Sequence, residues 1–170
     1  MQRLVAILYF GMMATSSYCQ DNEANKFIFK NSIQIEAGGH GLFYSINYER
    51  ILFNHKTFKT TVQGGISYYP KQTGVRDIWM PLVINEIFSF TKHHVELGAG
   101  YVLIREASRD YENNATSWFW SGVMTGRLGY RYQAPGGRII IRAGFTPFLV
   151  YEGHNYEFHP SGGLAFGYNF

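Results

Sequence analysis

Seven charged residues stand at alternate positions of strand-like segments, on the side opposite the large apolar residues. If these segments close into a tube, their polar sides face its interior, where an unpaired charge is very costly. The charges are therefore expected to neutralise one another in a network of salt bridges. Such a network either lines a polar path for small solutes or protons, or fills the interior as a plug. The residues are Glu36, Glu49, Lys59, Glu96, Arg127, Arg131 and Arg142.

A second group of reactive side chains falls in connections expected at one end of the strands. His40, His154 and His159 are expected there, with Glu157 and Ser161. A hydrolase could use Ser161 as the nucleophile, His154 or His159 as the base and Glu157 as the orienting acid. No nucleophile elbow, metal-ligand spacing or cofactor motif accompanies them, so the sequence assigns no catalytic residue, metal or cofactor. The pattern favours a protein that is not an enzyme.

The elements that would position these residues are eight segments of alternating apolar and polar residues. The connections after the third, fifth and seventh segments are long and polar, and this asymmetry is typical of membrane barrels. The sequence therefore predicts an all-β fold, an eight-stranded antiparallel up-and-down transmembrane β-barrel. Its interior is only wide enough for side chains, which favours the plug. The strands are predicted over residues 29–38, 42–53, 57–70, 78–90, 94–106, 118–133, 138–151 and 164–170, and the long loops over 71–77, 108–117 and 152–158.

The alternation breaks in the fourth segment. Met80, Leu82 and Ile84 share a face on which Glu86 comes next, and that face would meet lipid. A β-bulge places one extra residue in a strand and reverses the alternation after it. The sequence therefore predicts a bulge near Glu86 that turns this carboxylate inward and Ile87 outward.

The amino-terminal residues 1–19 have the features of a secretory signal peptide. One positive charge at Arg3 precedes an apolar stretch and then small residues, which favours cleavage before Gln20. In the alternative, Cys19 is the acylated first residue of a lipoprotein. The predicted organisation is a signal peptide over 1–19, a short leader over 20–28 and a barrel domain over 29–170.

Alternate residues of the last segment are large, and the segment ends on an aromatic residue: Leu164, Phe166, Tyr168 and Phe170. This segment resembles the terminal strand by which bacterial outer-membrane barrels are recognised for insertion. Residues 39–50, 95–101 and 142–147 also resemble the hairpins of small outer-membrane β-barrel proteins. The resemblance implies a Gram-negative outer-membrane location. It also implies contact with outer-membrane lipid and lipopolysaccharide, and with the barrel assembly machinery. It implies no catalytic residues.

Three classes of function remain. The first is a non-enzymatic membrane barrel with a structural or surface-interaction role, with any extracellular partner at the three long loops. The second is an outer-membrane lipid hydrolase that uses the serine, histidine and glutamate named above. The third is a soluble, lipocalin-like binder of apolar ligands, which the charged inward faces and Phe170 disfavour. A net charge of only +3 without a basic run gives no support for nucleic-acid binding.

Overall fold

The structure is a computed structural model that describes residues 26–70, 76–110, 115–153 and 155–170. The predicted signal peptide lies outside these residues. The hydrogen-bonded strands are β1 (Asn31–Gly38), β2 (Tyr44–Asn54), β3 (Phe58–Pro70), β4 (Arg76–Phe90), β5 (His93–Asp110), β6 (Ala115–Tyr132), β7 (Ile139–Phe145), β8 (Phe148–Glu152), β9 (Asn155–His159) and β10 (Gly162–Asn169). A short 3-10 turn, Gly39–Gly41, joins β1 to β2. No helix among the described residues has the length and apolarity needed to cross a membrane.

The strands close into one antiparallel ring. β1 pairs with both β2 and β10, and the β5–β6 pairing closes the other side. β7 and β8 continue in one register along β6, so they are two parts of a single wall strand interrupted at Pro147. β9 and β10 likewise form one wall strand interrupted at Pro160, since proline has no N–H for the ladder. The ring therefore has eight wall strands, and the predicted fold class is confirmed.

The two faces of the wall have opposite character. Outward side chains are apolar and exposed, as for Leu164 at 66% and Ile35 at 64%. The inward face of the wall is dominated by buried polar and charged side chains. A continuous exposed apolar band around a polar interior is the arrangement of a barrel that lipid surrounds.

Apolar side chains form a layer at each end of the interior. The end that carries the β2–β3, β4–β5 and β6–β7 connections is called the turn end, and the opposite end the loop end. At the turn end Phe27, Ile51 and Ile87 pack together. The loop-end layer consists of Val102, Ile104, Val123 and Phe148, with Trp79 and Val150 packed against it.

The long connections are shorter than the sequence predicts. β5 extends to Asp110 and β6 begins at Ala115, so most of residues 108–117 belongs to strands. Residues 155–158 of the predicted 152–158 loop belong to β9, which pairs with β8. Cross-strand pairs such as Tyr151 and Tyr156, with ring centroids 5.1 Å apart, support this hairpin beyond the barrel ring. Residues 71–75 of the first predicted loop lie outside the described residues.

The predicted bulge in β4 is wrong. β4 pairs with β5 without interruption from Ile78 to Phe90, which leaves Glu86 on the outward face and Ile87 fully buried inside. The outward carboxylate is accommodated because the Thr60 hydroxyl donates to it at 2.7 Å. The irregularity lies in β2 instead, where the pairing with β3 shifts between Ile51 and Phe53.

Candidate functional site in the charged barrel interior

The middle of the barrel holds three carboxylates and three guanidinium groups. Strand alternation brings them together, because each stands at an inward position of its strand. None of the six is more than 6% exposed. The carboxylates come from β1, β2 and β5 (Glu36, Glu49 and Glu96), and the guanidinium groups from β6 and β7 (Arg127, Arg131 and Arg142).

Arg142 has the most partners. Its Nε and Nη2 atoms each lie 2.8 Å from Oε2 of Glu96, and its Nη1 lies 2.8 Å from Oε2 of Glu49. The same Nη1 donates to the amide oxygens of Gln34 at 2.7 Å and Gln63 at 2.9 Å. Arg142 therefore links β7 to four other strands across the interior.

Arg131 uses the same two carboxylates. Its Nη1 lies 2.6 Å from Oε1 of Glu49 and 3.0 Å from Oε1 of Glu96. Its Nε donates to Oε1 of Gln133 at 2.7 Å. Each of these carboxylates thus joins at least two arginines, and neither charge is left unpaired in the low-dielectric interior.

Arg127 completes the network toward the loop end. Its Nη2 donates to Glu36, and its Nη1 lies 3.6 Å from Oε2 of Glu96. The Asn47 amide donates to Glu36 at 3.3 Å. His40 is fully buried beside this pair, with Nδ1 3.3 Å from Nη2 of Arg127 and 3.9 Å from Oε2 of Glu36. His40 is thus an interior residue and not the rim residue that the sequence predicts.

Small inward residues leave room for the charged side chains. Gly39 has a φ of +68°, and a Cβ there would lie 2.4 Å from the Glu36 carboxylate. A Cβ at Gly98 would lie 2.3 Å from Oδ1 of Asn85 and 3.2 Å from Cβ of Arg127. Glycine at these positions is therefore part of the network's geometry.

Lys59 differs from the other predicted members of the network. Within the described residues it forms no ion pair with a carboxylate. Its Nζ lies 2.5 Å from the Ser89 hydroxyl and 4.7 Å from the centre of the Phe27 ring. The fully buried ammonium is thus held by a hydroxyl and an aromatic face near the turn end.

Phe27 lies buried at the turn end, although the sequence predicts it in the leader over 20–28. The ring is 3% exposed, and its centroid lies 5.1 Å from that of His94 in an edge-to-face contact. The backbone is tied to Asn54, whose side-chain Nδ2 donates to the Phe27 carbonyl at 2.8 Å. No local pattern marks Phe27 as an interior residue, because its partners are distant in the sequence.

The predicted serine, histidine and glutamate site does not assemble among the described residues. Glu157 and His159 lie 3.5 Å apart on β9, and both side chains are half exposed. Ser161 accepts a hydrogen bond at its backbone oxygen from the Thr146 N–H at 2.8 Å. Within the described residues no hydrogen bond joins its hydroxyl to His159, and His154 lies outside them. The same residues contain no cluster of three potential metal ligands.

The terminal strand presents its large residues outward. Leu164, Phe166, Tyr168 and Phe170 are all exposed on the outward side of the wall. The Phe170 N–H donates to the Asn31 carbonyl at 2.9 Å, and the Asn31 N–H donates back to Phe170. The last residue therefore takes part in closing the barrel against β1.

No protein-family model matches the sequence, and no curated protein matches it significantly. Solved structures are similar in fold. The N-terminal β-barrel domain of Pseudomonas aeruginosa OprF is 16% identical, with a TM-score of 0.54 over 84% of this chain and 99% of that domain. Neisserial surface protein A (NspA) is 15% identical, with a TM-score of 0.49 over 82% of this chain and 92% of that one.

The attachment invasion locus protein Ail of Yersinia pestis, solved with the heparin analogue sucrose octasulfate, is 11% identical. It has a TM-score of 0.47, and the match covers 83% of this chain and 97% of Ail. The closed ring of eight wall strands and the similarity to the OprF domain show that this chain has the fold of the small, eight-stranded outer-membrane β-barrels.

Proposed function

We propose that the protein is an integral barrel of the bacterial outer membrane, with its interior closed by its own side chains and with a structural or surface-interaction role. The observation that carries the proposal is the network of three arginines and three glutamates, which lies between an apolar layer at each end. An apolar ligand of the lipocalin type would have to displace these charges, at a high desolvation cost.

The outward face supports the membrane location. Its large apolar side chains would be unfavourable in water, whereas hydrocarbon accommodates them. In this proposal residues 1–19 are a signal peptide cleaved before Gln20, and the strand that ends at Phe170 is the signal for the barrel assembly machinery. The turn end then faces the periplasm and the loop end the cell surface. Surface contacts, including those with lipopolysaccharide, fall at residues 71–77, 108–117 and 152–158.

A hydrolytic function receives no comparable support. His40 contacts Glu36 and Arg127 in the interior, and His159 pairs with Glu157 and not with Ser161. A nucleophile needs its base within hydrogen-bond reach, and among the described residues no hydrogen bond joins the Ser161 hydroxyl to His159. We therefore propose a protein that is not an enzyme and needs no cofactor.

Planar-bilayer recording tests the closed interior. The folded wild-type protein should show little conductance, because paired side chains occupy the middle of the barrel. Removing one whole pair, in the double variant Arg142→Ala and Glu96→Ala, should raise the conductance. Arg138→Ala, which removes an exposed cation on the outer wall, is the matched control and should leave it unchanged. A steady open channel in the wild type would overturn the closed interior.

A further inference from the structure

The outward wall of β2, β3 and β4 contains a groove in its apolar surface. The groove has a volume of about 570 Å³, and its lining is almost entirely apolar. This volume lies in the range of small-molecule sites. Ile46, Tyr48, Ile66 and Leu82 border it.

The groove exists because one residue of the wall has no side chain and another has no backbone N–H. Gly64 is an outward position without a side chain, and a Cβ there would meet nothing within 4 Å. Gly64 stands directly between Tyr48 on β2 and Leu82 on β4. Next to it Pro81 lacks an N–H, and the β3–β4 pairing is interrupted between Gly64 and Ser67.

An exposed cation lies at the turn-end side of the groove. Arg50 follows Tyr48 at the next outward position of β2, about 7 Å away along the strand. Within the described residues it forms no ion pair. The outward carboxylate on this part of the wall, Glu86, accepts a hydrogen bond from Thr60 instead.

Tyr48 indicates the level in the proposed membrane at which the groove lies. Its hydroxyl donates to Asn31 at 2.8 Å, with the polar tip toward the turn end and the ring along the wall. Tyrosines oriented in this way lie at the boundary between headgroups and hydrocarbon. The groove therefore runs from this boundary toward the bilayer centre, and Arg50 lies on the headgroup side.

We propose that this wall binds one anionic phospholipid of the inner leaflet, with an acyl chain in the groove at Gly64 and the headgroup phosphate on Arg50. The inference rests on the proposed membrane location. The groove supplies an apolar surface against which an acyl chain can pack. The guanidinium supplies a charge-assisted, bidentate contact that suits a phosphate.

Native mass spectrometry of the folded full-length mature protein tests the site, with lipid retained from detergent micelles as the readout. The probes are phosphatidylglycerol, phosphatidylcholine and inorganic phosphate, each added separately. The wild type should retain one phosphatidylglycerol in preference to phosphatidylcholine. Inorganic phosphate should not be retained, because it has no acyl chain for the groove.

Two variants each remove one half of the site. Gly64→Leu adds a side chain at a position where a Cβ meets nothing within 4 Å, and it should occupy the groove and abolish selective retention. Arg50→Gln should weaken phosphatidylglycerol binding about tenfold, equivalent to about 1.4 kcal/mol, and remove the preference over phosphatidylcholine.

The matched controls are Gly126→Leu on β6, where an added Cβ meets only Pro147 and Gly98 at 3.7–4.0 Å, and Arg138→Gln near the same end of the barrel. Both should bind like the wild type. Equal retention of the two lipids, or unchanged retention in Gly64→Leu, would overturn the site. Insertion of the wild type into phosphatidylcholine vesicles is measured separately, so a failed lipid site leaves the membrane proposal standing, and failed insertion counts against the proposed function.

Discussion

At the scale of single residues, the interior network is notable for its shared partners. Glu49 and Glu96 each contact two or more arginines, so removing one side chain weakens the pairing of several buried charges and leaves an unbalanced charge in the interior. A buried charge that loses its partner costs far more than an exposed one. The barrel's stability should therefore be much more sensitive to these positions than to surface charges.

Arg142→Ala or Glu96→Ala should lower the free energy of unfolding by about 3–5 kcal/mol each. The exposed Lys92→Ala is the control, and its effect should stay below about 1 kcal/mol. Denaturant titration of the barrel in detergent measures all three. The double variant should be less destabilised than the sum of the two single variants, because the remaining buried charges are balanced again. Equal stability of the three single variants would show that the charges are not buried as pairs.

Phe27 should matter more than an outward phenylalanine at the same end. Phe27→Ala removes a buried ring that contacts His94 and lies over the Lys59 ammonium, at an expected cost of about 3 kcal/mol. Phe53→Ala, on the exposed side of β2, is the control and should cost less because lipid or detergent fills the gap. The same titration measures both. If Phe27→Ala is as stable as Phe53→Ala, the ring does not seal the turn end.

The sequence predicts which residues face inward but not which contacts they form. Alternation identifies Arg131 and Glu49 as inward residues, because strand periodicity is a local property. It cannot identify Phe27 or exclude Lys59 from the ion pairs, because these contacts depend on where the chain before β1 returns across the turn end. Likewise His40 looks like a loop residue in the sequence, although the tight Gly39–Gly41 turn folds it into the interior.

At the scale of elements, the sequence predicts the strands where apolar and polar residues alternate, but it does not predict their ends. Outward apolar residues are expected to alternate with polar ones only along the part of a strand that would contact lipid. This alternation therefore cannot show that β8 and β9 continue to pair beyond that part. For a similar reason, the sequence pattern does not predict the outward position of Glu86. Its hydrogen bond to Thr60 depends on the β3–β4 register, which the pattern within β4 does not contain.

The terminal strand offers a test at this scale. Phe170→Asp should sharply reduce the amount of assembled barrel in cells, because the strand then no longer ends on an outward aromatic residue. Phe90→Asp is the matched control, since Phe90 is also an exposed aromatic at the end of a strand and at the turn end. Quantification of the folded form in outer-membrane fractions measures both. If Phe170→Asp assembles as well as Phe90→Asp, the terminal residue is not a specific signal.

At the scale of the whole molecule, an apolar outside surrounds a charged inside, and an apolar layer lies at each end of the interior. The ring has no free edge at the level of the eight wall strands, because β1 pairs with β10 and β5 with β6. Closure satisfies the backbone hydrogen bonds of the wall within the protein, as hydrocarbon requires. Opening any one pairing would also separate charges that the interior network holds together.

The intact barrel should therefore resist detergent at room temperature and unfold only on heating. In gel electrophoresis, the unboiled and boiled samples of the outer-membrane fraction should migrate differently, because the compact barrel and the extended chain bind different amounts of detergent. Arg142→Ala should lower the temperature at which the mobility changes, whereas Lys92→Ala should leave it unchanged. Recovery of the folded mature chain from the soluble periplasmic fraction would refute the membrane location, since a barrel with this apolar outer wall would then be stable in water.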